Sequence, residues 1–355
     1  MQDLEHHQNP EPEALPELSF REQLQERFDF AWTYILLVLV ALIVIFTVWH
    51  GRMFFDRTNF RNIALDSSQL MLLAVGSTFV IITAGIDLSV SAVLVFSAVV
   101  GAKLMSGLSG SPEQVRAYDF PNQNIGIPVG LAAAILCGLL WGILNGVLIT
   151  KLRLPPFIVT LGTLGMALGL GQIISGGQTV PYVPYDVQTW IGARRFFGWL
   201  PLLVVITKVI VVIATIMLSL TRFGRYTFAI GSNQAAARRA GINVDRHLIK
   251  VYAFNGTMAG LAGAFEVARF ATASTAAHSA DNLNAISAVV IGGTSLFGGI
   301  GSMIGTVIGT FIPTVLRNGL IIGGINPFWQ QVAIGAILIA AVYFDQRRRK
   351  ASERM

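Results

Sequence analysis

The sequence predicts an all-α polytopic membrane protein of about ten transmembrane helices, an importer-permease type of bundle. Three observations predict it. Only 12% of the 355 residues are charged and 54% are hydrophobic, against roughly 25% charged in a soluble domain. Apolar runs of about 18 or more residues follow one another, the length a helix needs to cross the hydrocarbon core. The basic residues flank those runs, as the positive-inside rule expects. The +6 net charge is therefore no signature of nucleic acid, and the lipid bilayer is the first expected partner.

Residues 1–17 are rich in Pro and Glu and too polar to build a core. Residues 1–30 lack a basic segment before a short apolar core, so no signal peptide is expected there. Ser19–Glu22 fits a capping box, and Phe20, Leu24, Phe28 and Trp32 recur at helical spacing. They predict either a short helix lying in the membrane surface or a simple extension of the first span. Residues 1–30 form a cytoplasmic tail in this reading, 31–346 the transmembrane domain, and 347–355 a basic cytoplasmic tail.

Ten crossings are predicted, at about 33–50, 65–85, 89–106, 127–150, 156–175, 200–220, 249–270, 284–297, 299–321 and 327–344. The eighth is short and reads as a broken or half-helix. Counting it returns Arg347, Arg348, Arg349 and Lys350 to the side that carries Lys151, Arg153 and the central basic stretch. Both termini are then cytoplasmic. Arg52, Arg57, Arg61, Arg194 and Arg195 fall in outer loops and conflict with the charge rule.

The central stretch 222–248 is the longest polar interruption of the apolar chain. Its centre predicts a helix of about two turns. Ser232 or Asn233 caps its start, Arg238 and Arg239 occupy its last turn, and Gly241 supplies the left-handed residue that ends it. A helix that short needs a surface to dock on. It reads either as a lever held out to a cytoplasmic motor or as an ordinary positively charged loop.

Glycines at four-residue spacing mark close helix contacts: Gly138, Gly142 and Gly146; Gly256 and Gly260; Gly301, Gly305 and Gly309. Polar groups inside the spans are costly and therefore informative. Asp87 lies in Gly85–Ser89 (GIDLS), where one span ends and the next begins; it satisfies free N–H groups at that break or contacts a solute. Ser89 is expected to cap the following helix. Glu266 and Arg269, three apart, are placed to pair with each other or to line a pore. Asn145 and Asn255 sit beside glycines. Thr294 and Ser295 lie in the glycine-dense run Ile291–Gly309, which is either a broken helix lining a polar notch or a tight turn between spans. Asp87, Asn145, Asn255, Glu266, Thr294 and Ser295 are the candidate pathway residues.

The single cysteine, Cys137, excludes an internal disulfide, and five scattered histidines give no metal-ligand spacing. No Walker A pattern and no Ser/His/Asp array is present, so no catalytic residue and no ATP site of its own are expected. An intramembrane enzyme lacks its paired groups. An ion-coupled secondary transporter of a small polar solute would need carboxylates central in the spans, whereas Asp66, Asp87 and Glu266 lie toward span ends.

GIDLS at 85–89, GRYTFAIGSNQAAARRAGI at 224–242, EVAR at 266–269 and NAISAVVIGGTSLFGG at 284–299 together resemble the membrane permease subunit of the ribose/xylose/galactoside group of bacterial ABC importers. The resemblance runs from about Ala31 to Lys350, with the motifs in family order. It implies a pair of permeases in the bacterial inner membrane, working with an ABC-type ATPase that binds ATP and Mg, and with a periplasmic sugar-binding protein. No cofactor is expected on this chain. The resemblance matches Asn233–Gly241, including Gln234, Ala235 and Ala236, to the loop that docks in the ATPase. Gln234 stands where many relatives carry Glu, and Ser91 replaces a common glycine; the first bears on one salt contact to the motor.

Overall fold

The computed structural model describes residues 30–326 and 328–352. Its axis is α2 (Arg57–Ile82), buried over 89% of its most apolar stretch, whereas the most apolar stretch of the span Trp32–Met53, which contains most of α1 (Phe30–His50), is buried over 6%. In a membrane that difference sets α2 at the centre and α1 in lipid. Asp56 starts α2 by accepting a hydrogen bond from the Thr58 N–H, which satisfies one of the free donors of the first turn.

After α2 come α3 (Val90–Ser109), the short α4 (Pro112–Arg116), α5 (Gln123–Lys151), α6 (Pro156–Ser175), α7 (Leu202–Leu220), α8 (Arg222–Ser232), α9 (Gln234–Arg239), α10 (Val244–Phe270), α11 (Asp281–Ile291), α12 (Met303–Ile322) and α13 (Trp329–Ser352); α7, α8, α10, α11 and α12 pack on α2 directly. A two-stranded hairpin, β1 (Arg195–Phe196) with β2 (Leu200–Pro201), precedes α7. Among the described residues seven helices are long and apolar enough to cross a membrane: α1, α2, α3, α5, α6, α7 and α12. Three further passes follow from chain direction: α10, α13, and α11 together with the irregular segment 292–302.

The directions are fixed by contacts at the two ends of the bundle. At one end Asn59 and Asn318 exchange side-chain hydrogen bonds of 2.8 and 3.0 Å. At the other, the end of α2 meets α8 and the segment after α11: Gly299 donates its N–H to the Ile82 carbonyl at 2.9 Å. We call the second the basic end, because α8, α9, Lys151 and Arg153 lie there, and the first the far end.

The closest seam joins α5 and α10. Gly138 abuts Gly256 and Gly260, Gly142 abuts Tyr252, Ala253 and Gly256, and Gly146 abuts Ile249. A Cβ at Gly142 would stand 2.9 Å from the Ala253 Cα, so only hydrogen fits. The sixth span, α7, starts two residues later than predicted, and α6 keeps its predicted bounds. The second span begins earlier, at Arg57, and helix α13 runs on to Ser352, through the basic residues that follow the last span. The surface helix expected near Phe20 lies outside the described residues.

Two corrections concern the glycine-dense run. The eighth span is helical only to Ile291; Gly293, Gly298 and Gly299 then take positive φ, which stops a helix of L-residues. The ninth begins at Met303, not 299, so Gly301 lies ahead of the helix, against the Ile82 side chain. Gly305 and Gly309 are in α12 and pack on Gly292 and Ala288, closing α11 and α12 into a tight pair.

Candidate functional site

The basic end carries a protruding knuckle. The Thr221 hydroxyl accepts from the N–H groups of Phe223 and Gly224 and opens α8. Asn233 is extended, ends α8, and caps α9 through Oδ1 to the Ala236 N–H at 2.9 Å. The predicted short helix is α9, with Asn233 rather than Ser232 as its cap; Ser232 belongs to α8, a second helix not expected from the sequence. Gly241 has φ +82°, and the Ile242 N–H reaches back to the Ala237 carbonyl at 3.1 Å, the six-residue closure that ends a helix on glycine. Ile242 then packs with Ile230, Ala237, Val244 and Leu248. This small apolar core is what the short α9 docks on. Arg238 pairs with Asp245 at 2.7 Å, while Gln234, Ala235, Ala236 and Arg239 face outward.

The knuckle is rooted on the break in the bundle. Gly231 lies against the Ile82 carbonyl and the Gly299 N–H, and Thr227 shares a 2.9 Å hydrogen bond with His247 of α10. Beside the root is a cavity of about 730 Å³ bounded by Thr83–Gly85, Arg153, Asn233, Arg238 and Tyr252.

Between the ends, the turn 83–89 doubles back into the bundle. Ala84 takes φ 60°, and Asp87 is buried. Its Oδ1 accepts from the Ser89 N–H (2.8 Å) and Ser89 Oγ (2.6 Å), and its Oδ2 accepts from Asn255 Nδ2 (2.8 Å). Asn145 Nδ2 donates to Ser89 Oγ at 2.9 Å. Asp87, Ser89, Asn145 and Asn255 thus form one network tying the turn to α5 and α10. Ser89 holds the cap position of α3 but makes no capping bond with its side chain, because that hydroxyl is committed to Asp87. Thr294 is buried, and the Ser295 hydroxyl accepts from the Phe297 N–H; both belong to the 292–302 segment, away from the network.

At the far end is a second polar cavity of about 430 Å³, walled by α2, α10, α11 and α12. Glu266 and Arg269 do not pair with each other. Arg269 bonds Asp66 at 2.5 Å, and Glu266 bonds His278 Nε2 at 3.0 Å. Their helix directs one toward the rim of α2 and the other toward the loop that follows α10. His278 Nδ1 also bonds Asp281 at 2.6 Å. Burial alone would lower the His278 pKa, but hydrogen bonds to Asp281 and Glu266, and their charges, raise it to about 10. Gln69, Asn284, Thr314 and Arg317 complete the wall. His278 and Asp281 have no motif signal in the sequence, where only the polar run after the seventh span marks the place; Arg317 shows as an isolated cation within the ninth span.

A bundle of membrane-crossing helices with a broken central turn, a basic knuckle rooted on it and a polar cavity at the opposite end defines a polytopic membrane permease. Residues 59–342 match the family described as the permease component of the branched-chain amino acid transport system, and the chain belongs to that family. Among its relatives, the ribose import permease protein RbsC of Escherichia coli (strain K12) is 35% identical, covering 91% of this chain and 97% of its own. The fructose import permease protein FrcC of Rhizobium meliloti is 34% identical over 89% and 86%. The galactose/methyl galactoside import permease protein MglC of Escherichia coli (strain K12) is 32% identical over 94% and 97%. No solved structure matches the chain.

Proposed function

We propose that this chain is the membrane-spanning permease subunit of an ATP-driven bacterial importer of a neutral sugar or polyol. It lies in the inner membrane with the basic end and both termini in the cytoplasm. Its partners are a separate ABC-type ATPase, which holds ATP and Mg, a second permease copy or related chain, and a periplasmic sugar-binding protein. The relatives' names support the solute class. The observation that carries the mechanism is the rooting of the knuckle: α9 is offered to a partner, while Gly231 presses on the Ile82 carbonyl and the Gly299 N–H.

Asn233–Gly241 receives the push of the ATPase, and α8 passes it to the end of α2. Because α2 runs unbroken from Asp66 to Ile82, a tilt at its basic end moves the wall of the far cavity. Packed helices switch between discrete arrangements rather than deform smoothly. Asp87, Asn145 and Asn255 position the turn. Glu266, with His278, Asp281 and Asn284, faces the solute. With His278 charged and Arg317 beside Asp281, the cations and carboxylates of this wall balance, which suits a neutral polyhydroxyl solute. An ion-coupled route would instead want an unneutralised carboxylate in the far cavity, where Glu266 and Asp66 both have cationic partners; the buried Asp87 is committed to Ser89 and Asn255 at the turn.

The test is reconstitution in proteoliposomes with the ATPase and binding protein. Arg238→Glu with Arg239→Glu is expected to leave ATP hydrolysis running while sugar uptake falls at least about tenfold. Unchanged uptake refutes the lever, and uptake by this chain without the ATPase refutes the class.

A further inference from the structure

Two of the five arginines that break the charge rule, Arg57 and Arg61, line one groove. Arg57 and Arg61 stand four apart on the first turns of α2, and the hairpin 195–201 folds over them, leaving a groove of about 690 Å³. Like charges at that spacing repel, and both sit near the positive end of the helix dipole. Among the described residues neither side chain has a hydrogen bond or an ion pair. Apart from Thr58 the rest of the groove is apolar and aromatic, with Phe60, Phe197, Trp199 and Leu200 lining it. Phe197 is 92% exposed and Trp199 67%, at the level where α2 and α7 begin. Aromatic rings at that level are the usual mark of the membrane–water interface.

We propose that this groove binds an anionic phospholipid, with the headgroup phosphate between Arg57 and Arg61 and an acyl chain against Phe60 and Trp199. A cationic rim over an apolar floor fits an amphiphile. A soluble anion would use only the rim, and a neutral lipid only the floor. The phosphate relieves the repulsion between the two guanidinium groups, which explains why they are tolerated at the far end. This inference does not rest on the transport reading, since it concerns the lipid-facing rim alone.

The purified full chain is placed in nanodiscs of phosphatidylcholine with or without phosphatidylglycerol, and lipid retention is read by native mass spectrometry and by thermal stability. Phosphatidylglycerol is expected to be retained selectively and to raise the melting temperature. The pair Arg57→Gln and Arg61→Gln is expected to weaken retention roughly thirtyfold, at about 1 kcal/mol per cation near a membrane surface. Arg57→Lys with Arg61→Lys, which keeps the charge, is expected to retain most of it, and Arg116→Gln, elsewhere on the far end, all of it. Equal retention of both lipids by the unaltered chain overturns the proposal. So does inorganic phosphate reproducing the stabilisation without lipid. So does loss of an acidic soluble partner's binding in the Gln pair while lipid retention is unchanged, which would make the groove a protein-docking face.

Discussion

Gly231→Ala is the sharpest perturbation of the lever. A Cβ at Gly231 would lie 2.6 Å from the Gly299 nitrogen and nearer still to the Ile82 carbonyl oxygen. Ordinary contact begins at 3.4 Å, so clearing the Gly299 nitrogen alone takes about 0.8 Å, and the nearer Ile82 carbonyl requires α8 to withdraw further than that. Both obstacles are backbone atoms, and neither can rotate aside. Overpacking of this kind costs about 1–3 kcal/mol, too little to unfold the chain. It is, however, comparable with the coupling free energies of roughly 1–3 kcal/mol that link distant sites. The variant is therefore expected to stay folded and bind its ATPase while uptake per ATP hydrolysed falls at least about fivefold. Gly165→Ala on α6, where an added Cβ meets nothing within 4 Å, is the matched control and is expected to transport normally. Stability is read by thermal melting in detergent, and coupling by simultaneous uptake and phosphate release in proteoliposomes. Uptake per ATP within twofold of the unaltered protein, with α8 demonstrably displaced, refutes the proposition that force passes through this contact.

Three further outcomes are expected. Gly142→Leu drives a side chain into the α10 backbone and should abolish folding or lower the melting temperature by more than about 10 °C, whereas Gly162→Leu, which faces open space, should change it little. His278→Ala strands Glu266 and Asp281 and should cost about 3–5 kcal/mol, the penalty for breaking a buried ion pair by removing one partner. Because the folded His278 pKa is raised to about 10 from an ordinary value near 6.5, its stabilisation is complete below about pH 6.5 and is lost as pH rises through 10; the melting temperature of the unaltered chain should fall over that window more steeply than that of His278→Ala. Asp87→Asn should keep both fold and uptake, because the Asn255 amide can turn its unpaired Oδ1 toward the new donor, while Asp87→Ala should lose both; loss of uptake in a folded Asp87→Asn variant would show that the charge itself is used.

Much of the architecture was legible because lipid is an exacting solvent. The length of an apolar run is a direct readout of membrane thickness, so α6 appears at its predicted bounds and α7 within two residues. The basic stretch was legible as a protrusion because nothing so charged is buried between spans. Its division into two helices was signalled less loudly. Phe223, Tyr226, Thr227 and Ile230 recur at helical spacing, but a long polar region invites a loop reading. The glycine repeats marked the α5–α10 seam because four-residue spacing puts hydrogen atoms in a line along one helix face. They misled at Gly301, where the same spacing crosses a helix start: the repeat records where the chain is crowded, not whether it is helical.

The far cavity was the least legible part, for a reason intrinsic to ion pairs. Glu266 and Arg269 look like partners because the sequence displays only local spacing, and three residues is a pairing distance on any helix. A local pair in a membrane, however, satisfies neither charge fully, while each has a better-placed opposite charge on another element. Asp66, 203 positions away from Arg269, stands on α2 at the same depth, and His278 is returned over Glu266 by the loop after α10. Which alternative wins is decided by the stacking of α2 against α10. That stacking is itself fixed by Gly76, whose missing side chain lets Asn255 approach to 2.9 Å between its Cα and the position a Cβ would take. The polar partners of the cavity are thus specified by small residues roughly two turns away from it. A substitution at Gly76 should therefore disturb Glu266 and Arg269 without touching either.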